Sequence, residues 1–258
     1  MQKRSKRRKQ LIILLALIVL GFATAVFYYA FEYYNFRRDG QEAQRIAEMM
    51  QKIFEEDAEG EYALQMAREE TGNTDIVAYI LIADTNIRNV VVQGADNDFY
   101  LNRDVFRAHN VNGSLFLDYR NAADFTDPNT IIYGHNVNNG TMFHNLRHYV
   151  DPGADAFFEG HSYITVLVGG EMLTYEIFSA FITHINFNYV RTEFAGDQFA
   201  EFIAELNRRN TLNTDRYATE HDRVLLLSTC TNISRDTRIV VAGRLVSGGA
   251  SADTGAVQ

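Results

Sequence analysis

The only cysteine in the chain, Cys230, ends an apolar run in the stretch VLLLSTC. One cysteine cannot form an intramolecular disulfide, so Cys230 is either a small buried side chain or a functional thiol. A thiol becomes a strong nucleophile as a thiolate, and a neighbouring histidine is the usual group that manages its proton. The chemistry of this protein therefore depends on whether the fold brings a histidine to Cys230.

Among the seven histidines, His135 has the sequence context that matches Cys230. It follows the apolar run TIIYG as Cys230 follows VLLLST, so each residue ends a strand of the buried type. Two residues that each end a core strand can share one rim of a barrel, where loops hold reactive groups over a rigid scaffold. Arg238 opens the next apolar run, and a hairpin would return its guanidinium to the sulfur as an oxyanion stabiliser or substrate clamp.

The elements that must position these residues are mainly β-strands. From residue 76 onward, runs rich in Val, Ile, Tyr and Phe alternate with Asn, Asp and Gly clusters. We predict an antiparallel system of eight strands, most simply a closed barrel, with Gly169-Gly170 as the turn between strands five and six. The helical period of DQFAEFIAELNRRN predicts one helix inserted between strands six and seven. The predicted strands are 76–82, 89–93, 114–118, 130–134, 162–168, 171–183, 224–229 and 238–246.

Residues 11–30 contain no charge and are long enough to span the hydrocarbon core of a bilayer as a helix. The basic cluster before them contains no acidic residue, which predicts a cytoplasmic N-terminus and an extracellular domain after the helix. Signal-peptide cleavage at Ala23-Thr24-Ala25 is the alternative, but the apolar run continues past that site. We therefore expect an uncleaved single-pass anchor in the cell membrane.

The charge of the chain is unevenly divided. Six of the 24 Lys and Arg residues precede the apolar run, whereas all 33 Asp and Glu residues follow it, which leaves a net charge of −15 after residue 31. This charge argues against nucleic acid or anionic lipid as a partner of the soluble part. We predict a basic tail (1–10), a transmembrane helix (11–31), an N-terminal helical region divided at Gly60 (32–73), a catalytic barrel (74–246) and a disordered tail (247–258).

Four motifs occur in order, namely YGHN, GTMF, LSTC and RIVVAGRL, and together they resemble the signature of the sortases. The likeness is to class B sortases of Gram-positive bacteria and covers roughly residues 41 to 246. It implies a sortase-type β-barrel and a cysteine transpeptidase. Cys230 would be the nucleophile, His135 the proton carrier, and Arg238 the group that holds substrate and oxyanion. Arg235, in the middle of the loop, is the alternative arginine.

The same resemblance implies four substrate-binding positions. Asn97 and Leu101 match an N-x-x-x-L pattern that helps to line the pocket for the leading residues of the substrate motif. Ser228 matches a pocket residue two positions before the cysteine, and Tyr189 would line the opposite wall. The ordinary alternatives are a turn-forming asparagine, a core leucine and a strand serine.

The family reaction is transpeptidation at a C-terminal sorting motif, of NPQTN-like or PxTG-like form, in an exported protein. The enzyme would cleave after Thr through a thioacyl intermediate and join the protein to an amine of a peptidoglycan precursor. No cofactor is implied, and a monomer is expected. His144 and His148 stand four residues apart, but no further ligand has matching spacing, so we expect no metal site.

Two other functions remain open from the sequence. A pilus-polymerising sortase would join pilins through lysine, although the chain has no Asp-Pro-aromatic lid segment ahead of the barrel. A non-catalytic surface scaffold would bury Cys230 as an ordinary core residue. The reactivity of the thiol towards a reagent in water would separate the scaffold from the enzymes.

Overall fold

Eight β-strands close into a barrel in which β5 is hydrogen-bonded back to β1. The computed structural model describes residues 2–56, 62–137, 140–231, 234 and 236–248. The order around the barrel is β1-β2-β3-β4-β7-β8-β6-β5, and the prediction of an eight-stranded closed barrel is confirmed. The strands are β1 (Ile76–Leu81), β2 (Arg88–Val92), β3 (Leu115–Leu117), β4 (Asn129–Tyr133), β5 (Tyr163–Val168), β6 (Glu171–His184), β7 (Val224–Cys230) and β8 (Thr237–Ser247).

Two of the strand pairs are parallel, so the expectation of a wholly antiparallel arrangement is wrong. Strand β2 pairs in parallel with β3, and β4 pairs in parallel with β7. Parallel neighbours require a crossover connection, and the β4–β7 crossover contains β5, β6 and two α-helices. The β5–β6 connection is the predicted hairpin turn, because Gly169 and Gly170 have φ of 58° and 84°, a region that glycine adopts without steric cost.

Successive strand residues face alternately into the barrel and onto its outer wall. Leu225 and Leu227 belong to the interior core, to which all eight strands contribute, whereas Val224 and Leu226 belong to a cluster on the outer wall. The barrel is therefore filled with side chains. Any binding site on these strands has to lie on the outer wall or at a strand end.

Helices cover two parts of the outer wall. The predicted insertion between β6 and β7 is helix α4, which buries Phe202, Ile203 and Leu206 against the wall. A second cluster joins Ile46 and Met50 to the outer residues of β1, β2 and β5. The helices are α1 (Gln2–Glu56), α2 (Ala63–Thr71), α3 (Ala154–Gly160) and α4 (Gln198–Arg209), with 3₁₀ helices at Phe99–Asn102 and His144–Tyr149.

The chain divides into two compact units, residues 1–42 and 43–258. Among the described residues, one N-terminal helical stretch, Gln10–Glu55, is long and apolar enough to span a membrane, with a mean hydropathy of 2.8 in its most apolar window. Gly60, the predicted break between two helices, lies outside the described residues. So do residues 249–258 of the predicted tail, whereas β8 continues to Ser247.

Candidate active site

Cys230 is the last residue of β7, and its side chain is exposed although the six strand residues before it are buried. It continues the outward-facing row that contains Val224, Leu226 and Ser228. The sulfur therefore lies on the outer wall at a strand end and not inside the barrel. An exposed thiol excludes the interpretation of Cys230 as a core residue.

Arg238 lies directly across the sheet from Cys230, because the two residues are Cα partners in the antiparallel β7–β8 pair. Directly opposed residues have Cα atoms about 4.5–5.5 Å apart and place their side chains on the same face. The guanidinium is half-buried, and its Nη1 donates a hydrogen bond of 3.0 Å to the carbonyl oxygen of Thr237. The alternative arginine, Arg235, lies outside the described residues.

The parallel pairing of β4 with β7 brings His135 to the level of Cys230. Tyr133 is the Cα partner of Ser228, and Gly134 N extends the ladder with a hydrogen bond of 3.2 Å to Ser228 O. His135 and Cys230 each lie two residues beyond the Tyr133–Ser228 pair, and both line the same cleft. The sheet thus places the histidine on one side of the cysteine and the arginine on the other.

A backbone carbonyl orients the His135 ring. The ring Nε2 lies 2.8 Å from the carbonyl oxygen of Leu101. Since a carbonyl oxygen only accepts hydrogen bonds, Nε2 carries a hydrogen, and in the neutral ring Nδ1 has the free lone pair.

Gly134 has no side chain, which lets the backbone next to His135 lie close to Leu115 and Phe143. A Cβ at this position would lie 2.3 Å from Leu115 Cδ2 and 2.8 Å from Phe143 Cδ2, both of which belong to buried core residues. Phe143 also donates its backbone N–H to the carbonyl oxygen of His135 at 3.0 Å. Phe143 of the GTMF segment therefore packs against Gly134 and hydrogen-bonds to His135 of the YGHN segment, which gives a physical reason for the two motifs to occur together.

Asn136 links the loop after β4 to the cysteine. Its Nδ2 donates a hydrogen bond of 3.2 Å to the carbonyl oxygen of Cys230, and its Oδ1 lies 2.9 Å from His144 Nδ1. Burial, aided by the positive charge of Arg147, lowers the pKa of His144, so the neutral ring donates from Nδ1 to Asn136. His144 therefore belongs to the support of the site, and the described residues contain no cluster of three or more His, Cys, Asp or Glu that would hold a metal ion.

A cleft of about 350 Å³ lies over these groups. All seven residues predicted for the site line it, namely Asn97, Leu101, His135, Tyr189, Ser228, Cys230 and Arg238. Seven further residues complete the lining and were not predicted, namely Phe116, Tyr133, Gly134, Ile185, Phe187, Val190 and Thr229. Ile185, Phe187 and Val190 come from the run INFNYV, whose aromatic residues outside any strand were the available sequence signal.

Tyr189 and Ser228 form a hydrogen bond of 2.8 Å between their hydroxyl groups in the floor of the cleft. Burial raises the pKa of Tyr189, while the hydrogen bond with Ser228 and the positive charge of Arg238 act in the opposite direction. The phenol is therefore neutral, and its apolar ring faces the same cleft as the thiol. The cleft combines an apolar wall with a few polar groups, as ligand-binding sites commonly do.

Comparisons with known proteins agree with this arrangement. A family model described as Sortase domain matches residues 80–246. Sortase B of Staphylococcus aureus (strain NCTC 8325 / PS 47) is 37% identical over 177 residues, which cover 67% of this chain and 71% of that protein. The solved Staphylococcus aureus sortase B-substrate complex has a TM-score of 0.73 and 32% identity, and covers 81% of this chain and 98% of that one. A solved sortase B complexed with triglycine has a TM-score of 0.68 and 33% identity, and covers 83% of this chain and 97% of that one.

The closed barrel and the cysteine-bearing cleft are features of a cysteine transpeptidase, and the family model covers more than half of the chain. The chain therefore belongs to the sortase family. Within the family its similarities are to sortase B, so the resemblance to class B sortases is confirmed.

Proposed function

We propose that this sortase cleaves a C-terminal sorting motif of an exported protein after Thr and joins the new carboxyl end to a cell-wall amine. Cys230 would act as nucleophile, His135 as proton carrier and Arg238 as oxyanion and substrate clamp. The observation that carries the proposal is the strand register, which sets His135 and Arg238 on the two neighbours of the Cys230 strand at one cleft.

In the first half-reaction, the Cys230 thiolate attacks the carbonyl carbon of Thr, and the C–O π electrons move onto oxygen. Arg238, on the facing strand, stabilises that negative oxygen. When the tetrahedral intermediate collapses, the C–N bond breaks and the leaving amine takes the Nδ1 proton of the His135 imidazolium. His135 Nε2 remains hydrogen-bonded to the carbonyl oxygen of Leu101 throughout, so the imidazole ring does not need to rotate.

In the second half-reaction, an amine attacks the thioester carbon and loses a proton to His135 Nδ1. The C–S bond then breaks and regenerates the thiolate. Such an intermediate has to survive until the amine arrives, which requires a water-poor site. The apolar side chains of Leu101, Ile185, Phe187 and Val190 supply that environment along the cleft.

Two related structures support the nature of the partners. One sortase B was solved as a substrate complex and another was solved with triglycine, a short peptide with a primary amine. For this chain we infer a sorting motif of NPQTN-like or PxTG-like form and an acceptor amine of a peptidoglycan precursor. The apolar helix would hold the monomer in the cell membrane with the barrel on the extracellular side, as its basic N-terminal flank indicates.

The test is a panel of sorting-motif peptides incubated with the full chain in detergent micelles, with and without triglycine. Mass spectrometry should detect an acyl adduct on Cys230 and, with triglycine, the ligated product. Cys230→Ala should abolish both products, and His135→Ala should reduce turnover by at least about 10²-fold. His221→Ala, at a histidine that is 86% exposed and absent from the cleft lining, is the matched control and should retain full activity.

Undiminished cleavage by Cys230→Ala would refute the proposal. If a pilin-type lysine were accepted in preference to triglycine, the alternative of a pilus polymerase would replace cell-wall attachment. Absence of any acyl adduct together with an unreactive thiol would favour the non-catalytic scaffold.

A further inference from the structure

Asp118 is a fully buried carboxylate beneath the cleft, directly after β3. Its Oδ1 accepts hydrogen bonds from the backbone N and the Nε of Arg120, at 3.0 and 2.8 Å. Its Oδ2 accepts from Arg120 Nη2 at 2.7 Å, from Tyr133 Oη at 2.8 Å and from Asn97 Nδ2 at 3.1 Å. These five bonds satisfy all of the acceptor positions of a carboxylate, of which there are about four. Asp118 was not among the residues predicted from the sequence.

The Asp118 carboxylate accepts hydrogen bonds from two side chains in one wall of the cleft. Asn97 and Tyr133 both line the cleft, and both donate to Asp118. The other end of the Asn97 amide is also engaged, because its Oδ1 accepts the backbone N–H of Tyr119 at 3.0 Å. The orientation of this wall is therefore set from beneath by Asp118.

The opposite wall of the cleft is hydrogen-bonded through its backbone carbonyls to the side chains of Arg120 and Asn129. Residues 189–191 have no helix or strand of their own. Arg120 Nη2 donates to Val190 O at 2.8 Å, while Asn129 Nδ2, which is fully buried, donates to the carbonyls of Tyr189 and Arg191 at 3.3 and 2.6 Å. Three successive carbonyls of this wall are thus held by side chains of the barrel.

Burial acts to raise the pKa of Asp118, but the hydrogen bonds from Arg120, Tyr133 and Asn97 outweigh it and hold the pKa below the ordinary value of 3.8. Asp118 is therefore ionised at neutral pH. The Asp118 carboxylate holds the planar Arg120 guanidinium by two parallel hydrogen bonds. In this orientation, Nη2 of the same guanidinium also donates to the carbonyl oxygen of Val190.

We propose that Asp118, Arg120 and Asn129 form a wall clamp that holds the two sides of the cleft at the separation required by the sorting peptide. The three are positioning residues, because none of them lines the cleft. This inference rests on the proposed function and extends it to the selection of substrate. The nucleophile itself lies on β7 and does not depend on the clamp, so loss of the clamp should weaken peptide recognition and leave the reactivity of the thiol unchanged.

The test compares Arg120→Gln with Arg244→Gln in the full chain. Arg120→Gln leaves the hydrogen bonds that Asp118 accepts from Tyr133 and Asn97, but it removes the hydrogen bond from Arg120 to the carbonyl oxygen of Val190. Arg244→Gln is the matched control: its side chain is 34% exposed, against 38% for Arg120, it pairs with Glu176 at 2.7 Å, and it does not line the cleft. Asp118→Asn is a second variant, which removes the charge at nearly constant size.

Three measurements are made on each protein: kcat and KM with a sorting peptide, the rate of Cys230 alkylation by iodoacetamide, and amide hydrogen exchange over residues 187–194 without substrate. For Arg120→Gln we expect KM to rise about tenfold, the loss that corresponds to about 1.4 kcal/mol, with kcat and alkylation within about twofold of wild type. Exchange over residues 187–194 should become faster. The control should match wild type in all three measurements.

An unchanged KM in Arg120→Gln would overturn the proposal, whether or not exchange becomes faster, because the clamp would then be structural only. Equal losses in the Arg244→Gln control, or an alkylation rate that falls with kcat, would overturn it as well. If the wild type processes no sorting peptide, the proposed function fails. The exchange and alkylation data then still decide whether the clamp holds the wall.

Discussion

Replacement of Gly134 by alanine should damage stability and catalysis together, because the added methyl group has no space. The new Cβ would lie 2.3 Å from Leu115 Cδ2 and 2.8 Å from Phe143 Cδ2, where ordinary contacts are at least 3.4 Å. Neither neighbour has room to withdraw, since both are buried in the interior core. Overpacking of this kind costs about 1–3 kcal/mol. For a domain of this size, the melting temperature should fall by about 2–12 °C.

The catalytic effect should be larger than the loss of stability. Relief of the clash would push the chain away from Leu115, and the next residue is His135, whose backbone carbonyl and ring nitrogen are both hydrogen-bonded. A displacement of about 1 Å at a catalytic group costs about 10²-fold in rate. We therefore expect kcat/KM for a sorting peptide to fall by about two orders of magnitude at a temperature where the variant is fully folded.

Thermal unfolding by circular dichroism and peptide-cleavage kinetics would check this prediction, with Gly160→Ala as the control. Gly160 ends α3, and nothing lies within 4 Å of its would-be Cβ, so that variant should stay within about 0.5 kcal/mol of wild type. In a Leu115→Ala background the cost of Gly134→Ala should shrink, because the nearest obstructing atom is gone. Wild-type stability and activity in Gly134→Ala would refute the packing argument.

Two further predictions concern hydrogen bonds under the cleft. Ser228→Ala should leave the buried Tyr189 hydroxyl without its partner and lower the free energy of unfolding by about 1–3 kcal/mol. The double variant Ser228→Ala/Tyr189→Phe should lose less free energy of unfolding than the sum of the losses in the two single variants. Urea titrations would measure this coupling, and strict additivity would show that the hydroxyl pair contributes nothing. The pKa of Asp118 is lower in the folded state, so its contribution to stability is present above the ordinary value of 3.8 and is lost as pH falls through the lower folded value. Urea unfolding between about pH 5 and pH 3 should therefore show a steeper loss for wild type than for Asp118→Asn, and parallel losses would contradict the prediction.

The strands and the inserted helix were predictable because their signal is local. Most strands are runs rich in Val, Ile, Leu, Tyr and Phe that are bounded by Asn, Asp or Gly, and this composition can be read from neighbouring residues alone. The Cys230–Arg238 pair was also accessible, since a short connection between consecutive strands forces a hairpin. The two glycines between β5 and β6 predicted their turn for the same local reason.

Pairings between distant strands were not accessible in this way. Nothing within TIIYG or VLLLST specifies that β4 and β7 lie side by side and parallel, because that choice depends on how all eight strands close the barrel. The adjacency of His135 and Cys230 was therefore inferred from their similar positions at strand ends and from the family resemblance. Asp118 carried no signal at all, since one aspartate after a strand resembles any turn residue.

The reactive residue types, the eight strands and the apolar N-terminal helix were accessible from the sequence, because each depends on residues that are neighbours along the chain. The folded structure was needed to show that the thiol faces the outer wall, that His135 Nε2 lies against the carbonyl oxygen of Leu101, and that a buried carboxylate links both sides of the cleft through Tyr133 and Arg120. These features require the meeting of groups that are remote in sequence, and barrel closure is the physical event that brings them together.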